Sequence, residues 1–159
     1  MRKPATRKRA RVGDVLELRT PAGLAYLHFS HKDRTLGSLI RVLPGLHANR
    51  PTNVEDLARP KERFTVFFPV AAAVDRGIVT IVGHVQVPAA AQRLPVMRMA
   101  GTLEPGSGRV LDWWVRDENG TRRVGDLTPE LRKLSLAELW NDTLLIERIA
   151  SGWSPEDET

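Results

Sequence analysis

Apolar and charged residues alternate along Val15-Leu-Glu-Leu-Arg19, with Leu16 and Leu18 on one face and Glu17 and Arg19 on the other. This pattern predicts a half-buried strand from Val12 to Thr20. Thr20-Pro-Ala-Gly23 places Pro second and Gly fourth, a type I turn signal, so Leu24 to Ser30 reads as the returning strand of a hairpin. With a period of two, Leu27, Phe29 and His31 share one face of that strand, and Tyr26, His28 and Ser30 the other. Gly37 to Pro44 predicts a third strand. Residues 46–63 are polar, with one helical turn expected over Asn53 to Ala58 under an Asn53 cap. Arg63 to Phe68 is too apolar for an exposed edge and predicts a core strand. Pro69 to Gly77 follows as a short helix, then Ile78 to Val85 as a β-branched strand. Residues 86–108 read as connection, with a short strand at Pro95 to Met99.

The strongest local signal is Arg109 to Asp117, Glu-Asn-Gly120, then Thr121 to Gly125, a hairpin whose Asn-Gly pair suits positive φ angles. Leu111, Trp113 and Val115 point one way on its first strand, and Asp112, Trp114 and Arg116 the other. The last third changes to helical spacing. Thr128 is an N-cap before Pro129, Ser135 and Glu138 have capping-box spacing, and Asn141 or Asp142 caps a helix that ends at Gly152. Leu145 and Ile149 mark its buried stripe, which Trp153 extends. The expectation is a single α+β domain over residues 12–153: a bent, mainly antiparallel sheet or small open barrel followed by short C-terminal helices. A basic arm at 1–11 and an acidic tail at 154–159 flank it.

Chemistry enters mostly by exclusion. The chain has no cysteine, which removes disulfides, thiolate nucleophiles and Cys-based zinc sites. His28 and His31 in Tyr26-Leu-His-Phe-Ser-His-Lys-Asp33 invite a metal reading, but strand geometry points them apart unless the strand bulges between them, and a third ligand is lacking. No serine lies in a nucleophile-elbow or S-x-x-K context, and Gly101 to Gly108 lacks the Gly-Lys-Ser/Thr ending of a phosphate loop. Asp112 and Asp117, five apart, fall on opposite strand faces, which argues against an acid/base pair. The expectation is a protein without catalytic, metal or cofactor site.

Charge changes the picture only at one end. The formal charge is +5, but Arg2, Lys3, Arg7, Lys8, Arg9 and Arg11 lie in the first eleven positions with no acid among them, so the rest is close to neutral. That arm reads as a solubilising, disordered extension; the alternative is a small basic-armed barrel that binds nucleic acid weakly and non-specifically through phosphate contacts. The longest apolar run, Val66 to Val74, is far short of the ~20 residues of a membrane span, and a cytoplasmic protein is expected. Tyr26, His28, Trp114 and Arg116 are the large amphipathic groups assigned to outer faces, residue types that anchor protein interfaces.

Val12-Gly-Asp-Val-Leu-Glu-Leu18, the Gly-containing turn with Ala25-Tyr26, Leu39-Ile-Arg-Val-Leu43, the Phe64-Thr-Val-Phe-Phe68 strand and Ile81-Val-Gly83, followed by a Trp-rich hairpin, resemble the immunity protein 26 family of bacterial polymorphic toxin systems. The resemblance spans roughly residues 11–153 and departs from the commoner pattern at Leu16 to Pro21. It implies a non-enzymatic cytoplasmic protein that binds and neutralises a cognate toxin protein. It supplies no established binding residues.

Overall fold

The computed structural model describes residues 9–158. Among these residues nine strands form two mostly antiparallel sheets, accompanied by four short helices, an α+β arrangement that does not close into a barrel. The five-stranded sheet has the order β4 (Phe64–Phe67), β3 (Gly37–Val42), β2 (Gly23–Asp33), β1 (Asp14–Thr20), β5 (Val79–His84). The four-stranded sheet runs β8 (Gly120–Gly125), β7 (Trp113–Asp117), β6 (Met97–Ala100), β9 (Ser135–Leu136), with β9 parallel to β6.

One seam joins the two sheets. The Phe67 N–H donates to Glu138 O and the Trp140 N–H to Phe67 O, so the chain just after β9 runs along β4. Ser135 Oγ accepts the Thr65 N–H at 2.9 Å. The capping box expected at Ser135 and Glu138 is therefore corrected. An open strand edge needs hydrogen-bond partners more than a three-residue spacing needs a helix, and Ser135 lies in β9.

Side chains from both sheets build the main core. Leu16, Leu18, Leu27, Phe29, Ile40, Val42, Phe64 and Val66 are buried on one face of the larger sheet. Helix α4 (Asp142–Ser151) lies across it and buries Leu145 and Ile149, the two residues that its spacing predicts. Asn141 Oδ1 accepts the Leu144 N–H to cap α4, and Gly152 ends it at φ 73°, a left-handed conformation that glycine takes without penalty. Trp140 and Trp153 meet edge to face at 5.1 Å, and the Arg148 guanidinium lies 4.5 Å from each ring. Each fully buried Leu or Ile contributes about 1.5–3 kcal/mol relative to exposure.

Several boundaries differ from expectation. Helices α1 (Val54–Ala58, capped by Asn53), α2 (Val70–Asp75) and α3 (Pro129–Arg132, capped by Thr128) stand where predicted. Leu111 is half exposed, because β7 begins only at Trp113 and the residues before it form a loop. Asn119 does not adopt positive φ. Glu118 and Asn119 form the turn and Gly120, at φ 123°, opens β8 opposite Asp117. The segment 154–158 is not a loose tail. Pro155 is buried, and Arg98 Nη2 donates to the carbonyls of Pro155 and Glu158. At the other end, Ala10 packs against the core and the Arg11 N–H bonds Asp14, so both residues belong with the folded domain.

Candidate functional site

The outward face assigned to β1 and β2 is in fact a second interior. Residues 46–62 fold over it, carrying α1, and Val15, Tyr26, Leu43 and Leu57 pack together beneath. Glu17, expected to face water, is buried with its carboxylate forked by Arg50, Nε to Oε2 at 2.7 Å and Nη2 to Oε1 at 3.1 Å. The Arg50 hydrogen bonds hold the Glu17 carboxyl below its usual range. Tyr26 donates to Glu17 Oε2 at 2.9 Å, and burial, with this bond second, pushes the phenol up to about 12. His47 closes on the Tyr26 ring edge to face at 5.4 Å.

His28 is fully buried and its tautomer follows from its neighbours. Nε2 faces two carbonyls, Val85 O at 2.8 Å and Gly13 O at 3.1 Å, so it carries the proton. Nδ1 lies 2.8 Å from Arg41 Nη1, a group that only donates, so Nδ1 is a lone-pair acceptor. Both ring nitrogens are committed with the imidazole neutral, and burial pulls its pKa down, the Arg41 charge adding to the effect. Arg41 in turn donates to Ala58 O, Pro60 O and Glu62 Oε2 at 2.9–3.1 Å. The assignment of Tyr26 and His28 to an accessible partner-binding face is thus corrected: His47 and Leu57 of the 46–62 segment close over Tyr26, His28 is held among Gly13, Val85 and Arg41, and neither presents area to a partner in this conformation.

A β-bulge at Ser30 answers the histidine question differently from simple alternation. His28 pairs with Arg41 and His31 with Leu39, so the extra residue brings both histidines to the same side of the sheet. They still do not meet in one site. His31 bonds Ser30 Oγ at 2.9 Å and Gln92 O at 2.8 Å, and among the described residues no group of three His, Cys, Asp or Glu is placed to hold a metal ion.

Trp114 and Arg116 lie on the other sheet, apart from Tyr26 and His28. Trp113 goes to the core while Trp114 stays partly exposed, as the alternation predicts. Arg116 donates to Asp33 Oδ1 at 2.6 Å and sits 5.8 Å from the Phe67 ring, so it ties β7 to the end of β2. The backbone N–H groups of Leu36 and Thr35, with Arg116, hold Asp33 below the usual carboxylate range. Asp112 takes the Thr102 N–H at 2.6 Å and Arg123 at 3.0 Å, and Asp117 takes the Asn119 N–H, so both carboxylates serve the loops beside them. Of the basic arm, Arg2, Lys3, Arg7 and Lys8 lie outside the described residues. Arg9 and Arg11 are exposed, with Arg11 3.9 Å from Asp14.

Two concave features were not visible in the sequence. A cleft of about 600 Å³ is bounded by Trp113, Asp126, Arg132 and Glu158. Next to it Arg98, wholly buried and 4.7 Å from the Trp113 ring, has Nε and Nη1 without partners. A second cavity, of about 380 Å³, lies where the end of β2, residues 62–65, residues 90–96 and the β7–β8 turn converge. Four separated segments make it, and no local spacing announces such a site. Comparison of the chain with protein-family models, with curated proteins and with solved structures yields no match. No helix among the described residues is long and apolar enough to cross a membrane.

Proposed function

We propose that this protein is a non-enzymatic, immunity-like binding protein that acts in the cytoplasm, capturing a cognate toxin protein through its β7–β8 hairpin and neutralising it. The observation that carries the reading is Trp114, a partly buried tryptophan that keeps some exposed surface on β7 beside the open edge strand β8, where Thr121, Arg122 and Arg123 face solvent. Tryptophan and arginine dominate interface hot spots. Arginines along an edge discourage pairing with a second copy while leaving polar groups for a partner. The sequence resemblance supports the same class, and Arg116 remains a candidate contact next to the hairpin's turn.

The test uses the full chain as bait in nuclease-treated lysate of its source at moderate salt. Trp114→Ala is the informative variant, because Arg116 also holds Asp33 and its removal would disturb the fold. A lost hot spot of about 2 kcal/mol weakens binding roughly 30-fold. The captured protein, expressed alone, is expected to arrest growth, and co-expression with this chain to relieve the arrest. Retention of the partner by Trp114→Ala sinks the hairpin assignment. Recovery of nucleic acid only, salt-sensitive and lost on deleting residues 1–11, would favour the basic-arm alternative.

A further inference from the structure

The β7–β8 hairpin ends the smaller sheet with an unfilled place for one more strand. Among the described residues β8 pairs only with β7, and no backbone hydrogen bond joins residues 120–125 to any other segment. Alternate N–H and C=O groups of an edge strand point away from its neighbour, and an extended segment of another chain satisfies them by pairing.

Charge says what kind of segment fits. Arg122 is exposed without an acidic partner among the described residues, and it stands opposite Val115, on the sheet face that Val115 shares with Trp113. Arg123, opposite Trp114 on the other face, already holds Asp112 at 3.0 Å. Just past the end of β8, Asp126 and Leu127 border the cleft of about 600 Å³, together with Trp113, Arg109 and Arg132. Neither of these two arginines has an acidic partner among the described residues. Of the carboxylates in the cleft, Glu158 is taken by Arg148 at 3.1 Å, which leaves Asp126 against three unpaired arginines. Arg98 adds a buried cation 4.7 Å from the Trp113 ring, bonded to carbonyls and to no carboxylate.

The chain's own outer strands do not supply the counterpart. Neither β5, at the far end of the larger sheet, nor β8 itself carries Asp or Glu, so a second copy brings arginine to arginine or an uncharged strand. Nucleic acid fits less well, because it has no peptide groups to fill a strand edge, and Trp113, 8% exposed, offers no stacking platform in the cleft.

We infer that the partner presents an acidic extended segment that adds as a strand to β8, its carboxylates at alternate positions meeting Arg122 and, in the cleft, Arg109 and Arg132. The inference rests on the partner reading above, since β8 belongs to the hairpin that carries Trp114.

The test titrates the full chain, at low salt, with acetyl-Thr-Glu-Val-Glu-Val-Glu-Thr-amide, following backbone amide shifts and amide exchange. The peptide is expected to saturate with a dissociation constant on the order of 0.1–1 mM, shifting residues 120–127 and 109–115 and slowing exchange in β8. The same peptide with Gln for each Glu should bind at least ~10-fold more weakly. Two more versions carry N-methyl groups on the glutamates or on the valines. N–H groups facing a neighbour alternate along a strand, so one version is expected to lose binding and the other to keep it. Arg122→Gln and Arg132→Gln, both at exposed positions, should each fold normally and weaken the peptide roughly 3- to 5-fold. No saturable shift up to ~10 mM, equal binding of both N-methylated versions, or unchanged affinity in both arginine variants overturns the inference. A short oligothymidylate that binds as tightly as the peptide also overturns it, since the surface would then take any polyanion. Capture of a partner from lysate that depends on Trp114, without peptide binding, removes this inference and leaves the partner reading standing. Peptide binding with no partner captured removes the partner reading, and with it the assignment to a partner's segment.

Discussion

His28 makes acid stability a direct probe of the second interior. Its folded pKa is lowered from 6.5, foremost by burial, so the folded chain resists a proton that the unfolded chain accepts. Stability from this residue is therefore full above pH 6.5 and is lost as the pH falls from there towards the lower folded value. One pH unit of differential protonation is worth about 1.4 kcal/mol, so between pH 7.5 and 5.5 a His28 that stays neutral in the fold removes about 1.4 kcal/mol. His28→Gln is the matched perturbation, because its amide offers a donor towards Gly13 O and Val85 O and an acceptor towards Arg41 without titrating. Urea unfolding of both proteins at the two pH values isolates the effect, since every other group is shared. Wild type is expected to be the more stable at pH 7.5, with its advantage shrinking at pH 5.5 by at most about 1.4 kcal/mol, the limit for an imidazole that stays neutral in the fold. An advantage that is the same at both pH values would refute the neutral, locked imidazole.

Arg98 and Gly101 carry two further expectations. Arg98→Met keeps the stem in place and removes a buried cation with two unpartnered nitrogens; unfolding stability should change by less than about 1 kcal/mol, while residues 155–158 lose amide-exchange protection. A loss above ~3 kcal/mol would show that the Arg98 bonds outweigh its desolvation. A Cβ on Gly101 would fall 2.4 Å from Asp112 Oδ1 and 2.9 Å from Trp114 Cδ1. Gly101→Ala should thus cost about 1–3 kcal/mol and shift Trp114 fluorescence, and a variant as stable as wild type would mean that the hairpin base gives way freely.

Much of the first interior was legible in the chain because it is written in local periodicity. The hairpin at Pro21, the Trp113/Trp114 division, the Asn53, Thr128 and Asn141 caps and the Leu145/Ile149 stripe all depend on neighbours within four residues. The second interior was not legible for the opposite reason. Residues 46–62 look like a solvated loop, and only Leu57 and Ala58 in them become buried, yet that segment closes over Tyr26, while His28 is buried by carbonyls of Gly13 and Val85 and by Arg41, all distant in sequence. Glu17 misled in the same way, since alternation cannot anticipate an arginine thirty-three residues away. The bulge at Ser30 reversed a facing argument by one residue, and β9 took hydrogen bonds from β4 that Ser135 and Glu138 do not advertise in sequence. Of the four candidate contacts, Trp114 and Arg116 keep some exposure, and their hairpin lies at a sheet edge.

The seam between β4 and the chain after β9 also sets the order in which this molecule can be completed. Roughly seventy residues separate Phe67 from Ser135, and at ~5–20 residues per second of synthesis they emerge over about 3 to 14 s. Until that interval ends β4 lacks its Ser135–Trp140 partner and the larger sheet, once β5 has joined it, lacks α4, the condition under which apolar strands such as Phe64–Phe67 pair with neighbouring chains. The last twenty-five residues thus act as a closing clasp, and a nascent chain stalled before Ser135 is the aggregation-prone form of this protein.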